Sequence, residues 1–104
     1  MKQKIYLLKC DINDSTFYKI GRTKNTVSER IDSLKTGNPG KIECIFKHET
    51  DNALLLEKSL HNYFSHLRLE GEWFSEKMSI TKFKEYCEKL DYHLTKLNNG
   101  YDIL

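Results

Sequence analysis

The stretch Gln3–Gly21, QKIYLLKCDINDSTFYKIG, decides the fold. Gln3 to Cys10 carries Ile5, Tyr6, Leu7 and Leu8 between polar residues and reads as a strand. Asp11 to Ser15 reads as a turn, because Asp, Asn and Ser side chains hydrogen-bond their own backbone. Thr16 to Ile20 reads as a second strand, so the chain opens with a hairpin. Gly21 is expected to end that strand, at a point where a residue without a Cβ turns freely. Strand side chains alternate between faces, so Tyr18 and Lys19 point opposite ways. Only one of them can share a face with Tyr6, and the hairpin register decides which.

Downstream, Thr26-Val27-Ser28-Glu29 fits a capping box at the start of a helix. Val27, Ile31 and Leu34 form its buried stripe, and Gly37 with Asn38-Pro39-Gly40 is expected to stop it. Lys41 to His48 reads as a third strand in which Ile42, Cys44 and Phe46 alternate with Glu43, Ile45 and Lys47. Asp51 is expected to cap a longer helix, 52–67, with Ala53, Leu56, Leu60, Tyr63, Phe64 and Leu67 on its apolar face. Gly71 to Phe74 reads as a turn and a short extended piece. Ser79 is expected to cap a third helix carrying Ile80, Phe83, Tyr86, Cys87 and Leu90. A short helical segment over 91–97 follows before Asn98-Asn99-Gly100. This order of elements gives an α+β domain with a small, at least partly antiparallel sheet.

The 104 residues suit one domain, 1–104, and twelve aromatic residues supply ample core material. The net charge is only +2, so contact with nucleic acid is expected to be local rather than a general coating. The longest apolar run, Ala53 to Leu56, is too short to cross a membrane, and the N-terminus lacks a secretory signal pattern. Cys10, Cys44 and Cys87 are an odd number without CxxC spacing. They read as reduced thiols of a cytoplasmic protein rather than zinc ligands.

The chemistry-bearing residues are Tyr6, Tyr18, Lys19, Arg22, Arg30, Glu57 and His61. Together they offer a proton acceptor, phosphate clamps, a metal ligand and a proton shuttle, one set of parts for cutting a phosphodiester. An unperturbed phenol has a pKa near about 10, so Tyr6 needs a nearby cation to act as a base. The Arg30 guanidinium suits a bidentate grip on phosphate, against the bland reading of a surface ion pair. Glu57 and His61 lie four apart on one helix flank. Glu57 offers a hard oxygen ligand, and magnesium takes only one or two protein carboxylates. His61 suits proton transfer. Arg22 could also contact phosphate, and Lys24, Lys35 and Lys41 could line a phosphate path, though isolated lysines usually just solvate. Glu72 precedes Trp73-Phe74, read as a hydrophobic lid, and is given little weight.

Taken in order, these residues resemble the GIY-YIG nuclease superfamily. Lys4-Ile5-Tyr6 stands for its first signature and Tyr18-Lys19-Ile20-Gly21 for its second. Lys4 takes the place of a leading Gly and Lys19 that of the second Tyr. A small phage- and virus-associated branch is most similar, with Tyr18 to Thr23, Lys35 to Pro39, the Glu57/His61 pair and Gly71-Glu72-Trp73-Phe74. The resemblance covers a core of 4–74 and leaves 75–104 as a C-terminal helical extension. It implies a three-stranded antiparallel sheet flanked by helices, and metal-dependent cleavage of DNA, with RNA not distinguished. Glu57 would hold Mg²⁺ or Mn²⁺, Tyr6 would act on water and Arg30 would neutralise charge on the phosphate. Specificity would then come from a homodimer or a recruiting protein partner. The competing reading is an inactive module that keeps this scaffold and binds nucleic acid or a protein.

Overall fold

A computed structural model describes residues 2–36 and 40–98. The hairpin forms as its residues dictate. Strand β1 (Gln3–Ile12) pairs antiparallel with β2 (Ser15–Thr23), and the pair Ile12 opposite Ser15 leaves Asn13 and Asp14 as the turn. Asn13 has φ 56°, a left-handed conformation that a short amide side chain tolerates. Helix α1 (Val27–Lys35) follows, and the Thr26 hydroxyl accepts a hydrogen bond from the Glu29 amide at 3.1 Å. The expected stop at Gly37-Asn38-Pro39 lies outside the described residues.

Strand β3 (Lys41–Thr50) returns along the free side of β1, also antiparallel. Its expected alternation fails at one place. Leu7 and Leu8 of β1 face Phe46 and Cys44, so Ile45 is an extra residue in β3. The bulge puts Ile42 and Phe46 on opposite sides of the sheet, with Ile42 beside Tyr6 and Leu8 and Phe46 against Phe83.

The expected three-stranded sheet is corrected to a five-stranded one, order β3-β1-β2-β5-β4, within a fold that remains α+β. The first three strands are those read from the sequence. The addition comes from the outer edge of β2, which β1 leaves unpaired. Strand β5 (Trp73–Ser75) pairs there with Phe17 to Lys19, and β4 (Arg68–Glu70) folds onto β5. Gly71, at φ 56°, turns the chain between these two strands. Strand β5 is the short extended piece expected after Gly71; β4, at three residues, is too short for an alternating pattern to be recognised, and the pairing of both onto β2 was not read.

The two faces of the sheet carry separate cores. Tyr6, Leu8, Cys10 and Ile42 pack under Val27 of α1, with Ile31, Leu34 and Trp73 around them. On the other face, Ile5, Leu7, Tyr18, Ile20 and Phe74 pack against two helices, α2 (Ala53–Tyr63) and α3 (Ile80–Asn98). Helix α2 begins after Asn52 rather than at the expected Asp51 cap. It stops at Tyr63, and a single 3-10 turn, Ser65–Leu67, replaces its last expected residues. Helix α3 is continuous through the stretch read as a separate segment, and Ser79 Oγ accepts from the Lys82 amide at 3.2 Å. The break expected at Asn99-Gly100 lies outside the described residues.

Asp91 ties α3 to the end of β3 and the start of α2. Its carboxylate accepts hydrogen bonds from the Thr50 hydroxyl and from Asn52 Nδ2 at 2.9 Å, and lies 2.8 Å from His48 Nε2. Burial alone would raise its pKa. The bonds from Asn52, Thr50 and His48 outweigh that and hold the carboxyl below its usual range. Among the described residues no helix is long and apolar enough to cross a membrane.

Candidate functional site

Gly21 is the pivot of the site, though not for the expected reason. Strand β2 runs past it to Thr23, and its φ is not in the left-handed region. Instead, Tyr6 sits directly opposite it in the register, and a Cβ at position 21 would land inside the Tyr6 phenol. The missing side chain lets the ring lie across β2 and carries its hydroxyl toward the start of α1. There Arg30 Nε donates to Tyr6 Oη at 3.3 Å. Burial raises the Tyr6 pKa despite the opposing influence of Arg30, so the phenol is protonated at neutral pH. The same bond raises the Arg30 pKa and keeps the guanidinium charged.

Glu57 arrives from α2. Its Oε1 lies 3.3 Å from Arg22 Nε, and Arg22 Nη1 donates to Gln3 Oε1 at 3.3 Å. The Glu57 contact is close enough for ionic attraction but lacks hydrogen-bond alignment, which leaves Arg22 Nε a buried donor without a hydrogen-bond partner. Burial raises the Glu57 pKa, and the negative charge of Glu72 raises it further. His61 and Arg22 pull the other way without reversing it.

Glu72 is the residue that sequence reasoning undervalued. It precedes β5, its carbonyl accepts from the Ile20 amide at 3.2 Å, and its carboxylate accepts from Lys19 Nζ at 2.7 Å. Lys19 is only 6% exposed, and its ammonium also lies 5.6 Å from the Trp73 ring centre. The available signal was a carboxylate in a tight turn beside a tryptophan. What lifts it above a surface charge is the lysine that meets it from 53 positions earlier in the chain.

Tyr6, Arg30, Glu57 and Glu72 line one open hollow of about 380 Å³, together with Arg22, Thr23, Lys24 and Asn25. Two expected phosphate-binding residues, Arg22 and Lys24, are therefore in it. Others are elsewhere. Tyr18 is buried on the opposite sheet face, in the core beneath α2. Lys19 shares the face of Tyr6, but its ammonium is held by Glu72. His61 keeps its ring edge-on to Phe74, with Nε2 3.1 Å from the Ile20 carbonyl oxygen. Lys41 begins β3 opposite Asp11, at the hairpin-turn end of the sheet.

Three cations, a phenol and two carboxylates can receive an anion beside a small hard cation. The charge of Glu72 adds to the cost of ionising Glu57, and a divalent cation bound at Glu57 would relieve it. Oxygen donors suit Mg²⁺ or Mn²⁺, which need few protein ligands when phosphate and water complete the shell. Among the described residues no three His, Cys, Asp or Glu side chains come together as a ready-made metal cage. Glu57 and Glu72 are the carboxylates that could hold such a cation, with phosphate and water supplying the remaining ligands.

A sheet covered by helices on both faces, with a polar hollow at the end of its hairpin strands away from the turn, defines the class of domain. The model of one family, the T5orf172 domain, matches residues 3–91, and the chain belongs to that family. This corrects the resemblance drawn from motif order, and the family assigned is T5orf172 rather than the GIY-YIG superfamily. Lys19, one of the two departures from that pattern, has a partner of its own in Glu72. A KilA-N domain-containing protein, 315L, of Invertebrate iridescent virus 6 is 35% identical over 97 residues, which cover 83% of this chain. The chain spans 40% of that relative's length. No solved structure matches.

Proposed function

We propose that this domain is a divalent-metal-dependent endonuclease that cleaves DNA phosphodiester bonds with an activated water. The observation that carries the reading is the meeting of Tyr6, Arg30 and Glu57, from β1, α1 and α2, around one solvent-open hollow. The coarser reading, a DNA-binding or nuclease-like module, is supported by membership of the T5orf172 family and by the viral relative named for a KilA-N domain.

In this reading Arg22 and Arg30 grip the scissile phosphate and Lys24 guides the neighbouring backbone. Arg30 stabilises charge that builds on the phosphate oxygens, from a position already fixed by its bond to Tyr6. Tyr6, protonated at rest, orients the attacking water; to accept the water's proton it would first have to release its own to solvent, a loss that neighbouring positive charge would favour. Glu57 is the principal cation ligand. A divalent cation bound there would polarise the phosphate and lower the pKa of water. His61 steadies the strand through the Ile20 carbonyl.

The test is incubation of purified protein with supercoiled plasmid and Mg²⁺ or Mn²⁺, beside Glu57→Ala and Arg30→Ala. Nicked or linear products from the parent, lost in both variants with unchanged circular dichroism, are expected. Full activity in both variants removes this mechanism.

A further inference from the structure

We propose that a second hollow, lined by Ile12, Phe17, Leu69, Glu70 and Trp73, holds an unpaired nucleobase of the bound strand, so that the substrate class is nucleic acid with a single-stranded segment near the cut. The proposal rests on the endonuclease reading for its position and on a separate set of residues for its chemistry.

The hollow has a volume of about 340 Å³ and lies on the α1 face of the sheet, beside the part that α1 covers. Phe17 and Trp73 are each only partly buried, and Leu69 is 56% exposed. Two aromatic side chains and an aliphatic wall offer a flat base both stacking and apolar contact. Glu70, on the same lining, supplies an acceptor for an exocyclic amine. Single-stranded nucleic acid is commonly held in this way, by aromatic side chains next to cationic groups that follow the backbone.

The two hollows are joined through the same short turn. Glu72 lines the polar one and its chain neighbour Trp73 lines the aromatic one, while Lys19 touches both residues. Phe17 and Gly21 lie four residues apart on β2, about 13 Å at strand rise. A strand whose phosphate sits by Tyr6 can therefore place a base a few nucleotides away against Phe17 and Trp73. A base inside an intact duplex is stacked and paired and cannot enter without being extruded, which costs energy.

The chain has one tryptophan, so Trp73 emission reads the hollow directly. The full chain is titrated in EDTA with a short single-stranded DNA oligonucleotide, with binding followed in parallel by anisotropy of a label on the DNA. Quenching of Trp73 is expected, with affinity on the order of tenfold above that for the matching duplex. An abasic strand of equal length is expected to bind without quenching. Leu69→Ala and Phe17→Ala are each expected to weaken single-strand binding several-fold; the first removes an exposed side chain and should leave Tm unchanged. Binding without any change in Trp73 emission, or quenching that survives removal of the bases, overturns the proposal. A free nucleoside monophosphate that quenches as strongly at equal base concentration overturns the assignment to a strand. Because EDTA excludes cleavage, an inactive plasmid assay would end the endonuclease reading without altering this titration.

Discussion

Two half-buried carboxylates in this domain are treated in opposite ways. Asp91 has Thr50, Asn52 and His48 aimed at it, and its pKa is depressed. Glu57 has an ill-aligned arginine and faces a second carboxylate, and its pKa is raised. Hydrogen bonds that complete a charge build a joint between elements, and they make Asp91 part of the scaffold. A charge left short of partners costs stability and keeps its affinity for something from solvent. The contrast separates a structural carboxylate from the proposed metal ligand more sharply than their sequence neighbourhoods do.

The largest expected effect lies on the functional side. Glu57→Gln should lower the plasmid cleavage rate about 100-fold or more, within the range seen when one preorganised electrostatic group is lost. A rate within twofold of the parent would remove the distinction. Next in size, Asp91→Ala should cost about 2 kcal/mol in urea unfolding, because it strands donors on β3 and α2. An unchanged midpoint would make the Asp91 joint ornamental.

The pH dependences should run in opposite directions. Asp91 is depressed in the fold, so its contribution is present above the ordinary carboxylate range and is lost as pH falls through its folded value. Glu57 is raised, so its contribution is present below the ordinary carboxylate range and is lost as pH rises through its folded value. Stability of Glu57→Gln relative to the parent should therefore grow with pH across that window, as read by Tm from acid to neutral. A flat difference would mean that Glu57 carries no ionisation penalty. Smaller again, Lys19→Met should leave stability within about 1 kcal/mol, since Glu72 is partly exposed and screened by solvent. It frees Glu72 to press harder on Glu57, and should move the acid limb of the cleavage profile to higher pH. The smallest effect is expected at Lys41→Ala, which should leave cleavage unchanged, because its strand position is at the far end of the sheet.

Much of the scaffold was legible because it is written in local pattern. The hairpin, the Thr26 cap, the stripe of α1 and the apolar face of α2 all follow from residues close in sequence. The extended piece at β5 was read, but the five-stranded sheet was not, since β4 and the pairing of β5 depend on an edge of β2 that lies more than fifty positions earlier. The β3 bulge escaped for the same reason: alternation looks regular until Leu7 and Leu8 impose their own spacing. In the site, Tyr6, Arg30 and Glu57 could be named from residue type and order. The roles of Lys19 and Glu72 could not, because a buried lysine acquires meaning only when its distant partner is known.

The absence of one methyl group at position 21 has a consequence beyond packing. Alanine there would need the space now filled by a buried aromatic ring. The ring would have to swing away, and the guanidinium of the neighbouring helix would lose the oxygen that aims it. A net gain of one carbon and two hydrogens, made on a residue with no reactive group of its own, would thus misalign two side chains drawn from different elements.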